Sequence, residues 1–215
     1  MIISEGRRYI FVHIPKTGGT SLAQALEARA MADDILIGDT PKAKRRRRRL
    51  RELRPSGRLW KHSRLSDIRG VVSERQMEEF FILTLVRNPW DRLASYYHWL
   101  REQSFDHPAV KLAHALPFSD FLRHEETLHS IGPAHYASYV TLPGGRERCD
   151  LFARIEHFDK DIAPFEAHLG FSLAPLPRIN TSSRQRDYRQ YYSEEDAEYV
   201  ARLCARDVAR FGYTF

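Results

Sequence analysis

Cysteine is scarce, with only Cys149 and Cys204 in 215 residues. Two thiols so far apart make neither a metal-ligand spacing nor a disulfide framework, so both read as packing residues or free thiols. No apolar run is long enough to cross a bilayer. The opening MIISEGRR is not a secretory leader, because the apolar stretch after it is short and ends at Pro15-Lys16. No internal repeat and no Gly/Ser-rich or Pro-rich linker divides the chain. These absences point to one domain over residues 1–215, and to a soluble, cytoplasmic protein without a membrane span.

What is present is a foldable composition, 42% hydrophobic and 12% aromatic. The formal charge of +6 is concentrated in one place. Lys42 to Arg54 reads KAKRRRRRLRELR, where nine Lys or Arg against one Glu give +8 and leave the remainder at −2. A general affinity for nucleic acid therefore does not follow from the overall pI of about 9.4. Leu50 and Leu53 give this segment a narrow apolar stripe, so a short amphipathic helix is expected over an insertion at 41–55.

Tyr9 to Ile14 (YIFVHI) reads as a buried strand. Leu22, Ala23, Leu26 and Ala30 then recur at helical spacing, with a glycine turn between. Phe80 to Val86 (FFILTLV) reads as a second buried strand, ending at Arg87-Asn88-Pro89-Trp90-Asp91. Asn88 suits an N-cap, Pro89 the first helical position and Asp91 the first turn. Leu93, Ala94, Tyr97 and Leu100 continue as a helical stripe. Leu151 to Ile155 predicts a third strand, followed by a helix from about Asp159 to Leu169. Ser193-Glu194-Glu195-Asp196 predicts the start of a last helix that buries Val200, Leu203, Cys204 and Val208. Strands alternating with helices predict an α/β fold with a central, mainly parallel sheet.

The turn after the first strand, Lys16-Thr17-Gly18-Gly19-Thr20-Ser21, has the makings of an anion cradle. Two glycines let the backbone turn tightly and approach closely, and the helix start supplies N–H groups and a positive dipole end. Thr20 and Ser21 add hydroxyls and Lys16 a charge. It is not a Walker A loop, which places its lysine after the glycines. An ordinary strand–helix turn beside a surface lysine is the plainer alternative.

The string HIPKTGGTSL, His13 to Leu22, resembles the 5′-phosphosulfate loop of sulfotransferases that use 3′-phosphoadenosine-5′-phosphosulfate (PAPS). The resemblance is closest to the carbohydrate branch that includes the heparan-sulfate 2-O-sulfotransferases and their bacterial relatives. LVRNPWDRLASYYHWL, Leu85 to Leu100, resembles that family's 3′-phosphate motif. Leu151 to Glu156 resembles a later strand of the family. Asn180 through Tyr188 and Asp207-Phe211-Gly212-Tyr213 resemble its C-terminal pattern. Residues 31–57 and roughly 101–147 are not covered.

The resemblance implies a P-loop-like sulfotransferase architecture and sulfuryl transfer from PAPS to a hydroxyl, with PAP as product and no metal. Like phosphoryl transfer, such a reaction demands positioning and charge stabilisation. Lys16 is implied at the leaving group. Lys16, Thr17, Gly18, Gly19, Thr20 and Ser21 are implied at the 5′ end of the nucleotide, and Arg87 and Ser95 at the 3′-phosphate. Arg184 is implied as a second phosphate contact, among Asn180, Ser182, Ser183 and Tyr188. The plainer reading of Arg87 is a cap or an ion pair with Asp91. Relatives carry a catalytic histidine at a place comparable to His62, in LWKHS, and histidine suits base work near neutral pH. His13 reads as structural, and Lys61 as a helper for the acceptor. At Pro133-Ala134-His135-Tyr136 the family leads one to expect a glutamine, so acceptor specificity does not carry over.

The run Arg45 to Arg49 has three readings: a solvated face, a contact to an anionic carbohydrate acceptor, or nonspecific affinity for nucleic acid or membrane. No aromatic residues interleave it as single-stranded nucleic-acid binding favours, so no specific nucleic-acid partner is expected. Two other functions stay open on the residues. One is an NTP-dependent phosphotransferase or kinase, which needs Mg²⁺ and for which Asp91 is the obvious acidic ligand. The other is a noncatalytic anion- or nucleic-acid-binding module.

Overall fold

The computed structural model describes residues 1–131, 135–176 and 184–215. The chain divides into two compact units, Met1–Val86 with Tyr136–Ile179, and Arg87–His135 with Asn180–Phe215.

The first unit carries a five-stranded sheet: β1 (Ile2–Ser4), β2 (Tyr9–Val12), β3 (Ile35–Leu36), β4 (Phe81–Val86) and β5 (Leu151–Arg154). The order is β3-β1-β2-β4-β5. β2, β4 and β5 run parallel, with Val12 opposite Thr84 and Val86 opposite Arg154. β1 pairs antiparallel with β2 and with β3. The sheet is therefore mixed: the three strands read from the sequence form its parallel part, and the short β1 and β3 add an antiparallel edge. Period-two alternation sorts the side chains onto two faces. Tyr9, Phe11, Leu83 and Leu85 pack with Leu22, Leu26 and Phe165. Ile10, Val12 and Ile82 pack on the other side with Leu65, Ile68, Met77 and Phe80.

The helices of this unit are α1 (Gly19–Ala28), α2 (Pro41–Arg46) and α3 (Glu74–Glu79), and later in the chain α8 (Phe158–Asp161) and α9 (Ala163–Leu169). One helix was expected from Asp159 to Leu169. It breaks at Ile162, where Pro164 cannot donate its share of the helical hydrogen bonds. The basic segment is also two pieces. α2 is capped by Thr40 and gives way to a 3₁₀ turn over Arg47–Glu52. Its charges are partly engaged: Arg46 donates to the Met31 carbonyl at 2.7 Å, and Arg49 to that of Ala32. Arg47, Arg48 and Arg51 instead line an open groove of about 580 Å³ with Leu50 and Leu59.

The second unit is helical: α4 (Pro89–Arg101), α5 (Pro108–Ala115), α6 (Phe118–Arg123), α7 (Glu125–Ile131), α10 (Glu194–Leu203) and α11 (Ala205–Phe211). Trp90, Tyr97, Leu100, Val110, Phe121 and Val200 form its core. α4 starts as the sequence predicts, with Asn88 Oδ1 accepting from Trp90 N at 3.1 Å. The C-terminal segment fixes that start. Trp90 Nε1 donates to Ala197 O at 2.9 Å, and Asn88 Nδ2 to Thr214 O at 2.9 Å. Ser193 and Asp196 form a reciprocal capping box on α10. The last helix breaks at Cys204, so Val208 belongs to α11. Both cysteines are free and half-buried, and burial pushes the Cys204 thiol up to about 11. Among the described residues, no helix is long and apolar enough to cross a membrane.

Candidate active site

In the first unit β2 delivers the chain into His13-Ile14-Pro15-Lys16-Thr17-Gly18, and α1 begins at Gly19. Lys16 has φ of 64° and Gly18 of 84°, so the chain reverses twice within three residues. For lysine the left-handed conformation costs about 1–2 kcal/mol, a strain that neighbouring contacts must hold in place. Thr17 supplies one of them. It is fully buried, and its hydroxyl donates to the Ile14 carbonyl at 2.9 Å. Of the loop residues named from the sequence, Thr17 has its hydroxyl engaged within the loop itself. Gly19 is dictated by packing, because a Cβ there would lie 2.2 Å from His13 Cδ2. A Cβ on Gly18 would lie 3.0 Å from Ile155 Cδ1.

The start of α1 differs from the other long helix starts. Gly18 provides no side-chain cap, and no acidic residue stands in the first turn. α10 has Ser193 as cap and three acidic residues in that turn. α1 thus presents backbone N–H groups and a positive dipole end uncompensated by its own side chains, with the Thr20 and Ser21 hydroxyls beside them.

His62 is joined to this loop through His13. His62 Nδ1 lies 2.8 Å from the His13 carbonyl oxygen. A carbonyl only accepts, so Nδ1 carries the hydrogen and the basic lone pair of the neutral ring sits on Nε2. The His13 ring stacks on Phe11 at 5.7 Å and meets the His62 ring edge-on at 4.7 Å. Burial above all, then the nearby His62, holds His13 well below the usual imidazole range, so it stays neutral. His13, one residue beyond the end of β2, touches both the loop glycine and the candidate base. The segment bearing His62 is pinned by buried Ser63, whose hydroxyl donates to the carbonyls of Arg58 and Trp60 at 2.8 Å each. Trp60, 41% exposed, stands edge-on to His62 at 5.0 Å. Lys61 pairs with Asp39 at 2.8 Å, and that bond pulls the Asp39 carboxyl below its usual range.

In the second unit Arg87 directly follows β4. Its Nε donates to Asp91 Oδ2 at 2.8 Å and its second terminal nitrogen lies 2.7 Å from the same oxygen. The ion pair read as the plainer role for Arg87 therefore exists. Arg184 reaches the other oxygen, Asp91 Oδ1. One carboxylate thus holds two guanidiniums that are 97 positions apart in the sequence. Arg184 is only 9% exposed, and its Nη1 is buried with no hydrogen-bond partner among the described residues. A buried donor left unsatisfied costs about 1–3 kcal/mol, more when charged, so the arrangement favours an incoming acceptor. Ser95 lies one helical turn beyond Asp91 and is buried. Asn180, Ser182 and Ser183 lie outside the described residues, as do Pro133 and Ala134. Tyr188 begins a 3₁₀ turn.

Two features were not read from the sequence. One is Asp91 as the shared partner of both arginines. The other is His98, the next residue on the same face of α4, for which the spacing Asp91, Ser95, His98 was the available signal.

Residues 1–214 match the family model described as "Sulfotransferase family". The chain belongs to the sulfotransferase family. Sulfotransferases move a sulfuryl group to an acceptor, and membership brings that general activity and a hydroxyl-bearing acceptor with it. No curated protein matches this sulfotransferase in sequence. Two solved structures are similar to it. Mouse sulfotransferase SULT7A1 complexed with PAP is 16% identical, with a TM-score of 0.47 over 96% of this chain and 85% of that one. A sulfotransferase from Alicyclobacillus acidocaldarius is 16% identical, with a TM-score of 0.45 over 97% and 96%. Likeness this distant adds nothing to the family match. Among the described residues of the sulfotransferase, no group of three or more His, Cys, Asp or Glu could hold a metal ion.

Proposed function

We propose that this sulfotransferase is one catalytic domain of the carbohydrate branch, taking the sulfuryl group from PAPS and passing it to a hydroxyl of an anionic carbohydrate. The observation that supports the reading is the 2.8 Å bond from His62 Nδ1 to the carbonyl of His13, the residue that opens the loop string His13 to Ser21.

The residues suit the donor. Gly19 lets the His13 ring pack directly against the loop, α1 lacks a side-chain cap, and among the described residues Arg184 Nη1 has no hydrogen-bond partner. PAPS supplies a sulfuryl group activated by a phosphate leaving group. The backbone of Lys16 to Ser21, with the Thr20 and Ser21 hydroxyls, holds the 5′ end. Arg87, Ser95 and Arg184 hold the 3′-phosphate, for which guanidinium forks are well shaped. Lys16 neutralises charge that develops on the leaving oxygen. His62 Nε2 takes the proton of the acceptor hydroxyl, and the His13 carbonyl stabilises the resulting imidazolium while fixing its orientation. Neutral His13 keeps a second positive charge away from that imidazolium. The groove of Arg47, Arg48 and Arg51 supports an anionic acceptor, and exposed Trp60 offers a flat apolar face beside the base. The kinase reading loses its acidic ligand, because Asp91 already accepts from two guanidiniums.

The test follows isotopic sulfur from PAPS onto a panel of uronic-acid and sulfated polysaccharides. Transfer is expected, and His62→Ala should lower turnover by roughly 10²–10⁴-fold while PAP binding persists. Turnover at the unaltered rate in His62→Ala would place the base elsewhere.

A further inference from the structure

Asp91, Ser95 and His98 stand at i, i+4 and i+7 on α4 and so share one face. Arg184 acts on both ends of this row. It is ion-paired to Asp91 at one end, and its charge is felt by His98 at the other. Ser95 lies between those two residues.

Among the described residues the cluster leaves two buried polar atoms without hydrogen-bond partners, Arg184 Nη1 and His98 Nε2. Buried polar atoms are almost always paired in native proteins, and an unpaired pair on one polar face marks a place for a shared acceptor. The His98 ring is held there by Tyr191, at 4.3 Å and 50° between planes, and by Tyr97, edge-on at 5.4 Å. An anion with several acceptor oxygens satisfies both atoms at once, whereas a water or a hydroxyl group lacks the charge that Arg184 seeks.

Resting on the PAPS reading above, we propose that His98 is a further contact to the 3′-phosphate of the nucleotide, binding it as the imidazolium so that nucleotide binding takes up one proton. The groups around the ring set the sign. Arg184 and Tyr191 face it from the C-terminal segment, and Tyr97, Arg101 and Glu102 from α4. Burial first, then Arg184 and Arg101, hold His98 below its usual value, with Glu102 opposing. His98 is therefore neutral at pH 7 in the free protein. A phosphate dianion against the ring raises its proton affinity, so the complex is the protonated form. Affinity must then fall as pH rises from 7 to 8, a range in which the phosphate itself, with a second pKa near 6, stays dianionic.

The experiment measures Kd for PAP and for 5′-AMP, which lacks the 3′-phosphate, by calorimetry at pH 7 and 8. For the unaltered protein PAP should bind roughly three- to tenfold more weakly at pH 8 than at pH 7, since one linked proton allows at most tenfold per unit. His98→Gln keeps a neutral donor, and should bind PAP about tenfold more weakly at pH 7 with no difference between the two pH values. 5′-AMP should not distinguish the two proteins. A variant that fails to fold does not end the test. Calorimetry of the unaltered protein at pH 7.5, in buffers of different ionisation enthalpy, should show proton uptake with PAP and none with 5′-AMP. A pH slope retained in His98→Gln, or no proton uptake with PAP, overturns the role of His98 and leaves the donor assignment standing. Failure of PAP to bind at either pH overturns the donor assignment itself.

Discussion

The loop ahead of α1 is made of backbone, whereas the cluster on α4 is made of side chains. On the proposed reading the loop's ligating groups are backbone N–H groups next to the left-handed residues Lys16 and Gly18, and the essential side chains are those that are missing, at Gly18 and Gly19. On α4 the proposed ligating groups are two guanidiniums paired to one carboxylate, Asp91, with a serine and a histidine on the same helix face. The difference teaches how each can fail. A backbone site is sensitive to added atoms and tolerant of lost ones. A side-chain site is the reverse.

Four substitutions sharpen or break that contrast. Gly19→Ala should do the most damage. Its methyl would lie 2.2 Å from a His13 ring already fixed between Phe11 and His62, which cannot yield without moving the base. Thermal denaturation should show a loss of about 1–3 kcal/mol, as overpacked interiors do. Turnover should fall further than stability explains. Arg87→Ala comes next. Removing charge-assisted bonds worth about 1.5–3 kcal/mol should weaken PAP binding roughly ten- to a hundredfold in a calorimetric titration. Thr20→Ala and Ser21→Ala should matter least, each costing under about fivefold in PAP affinity, because a neutral hydroxyl bond contributes only about 1 kcal/mol. A large loss at Thr20 or Ser21 with a silent Gly19→Ala would reverse the contrast.

The same contrast explains what could be read from the sequence. The loop is local, so eleven consecutive residues, Tyr9 to Gly19, carry its strand, glycines and helix start, and these features were legible. The N-caps Asn88 and Ser193 were legible for the same reason. The cluster on α4 is only half local. Arg87, Asp91 and Ser95 lie within one motif, but Arg184 joins Asp91 across 93 positions, and no periodicity announces such a pairing. β1 and β3 were missed because strands of three and two residues leave no alternation to detect. The break at Cys204 carries neither glycine nor proline. In the arginine run, Arg46 and Arg49 are tied to carbonyls of residues 31 and 32, a pairing that charge alone does not announce.

The central claim, that the donor is a nucleotide bearing a 3′-phosphate and a 5′-phosphosulfate, is tested most directly by thermal denaturation of the unaltered protein with PAP and, separately, with ATP and Mg²⁺. At a hundredfold excess over Kd, PAP without metal should stabilise the fold by about 2.7 kcal/mol, and ATP with Mg²⁺ should do much less. Stabilisation by ATP with Mg²⁺ alone, with PAP inert, would contradict the account.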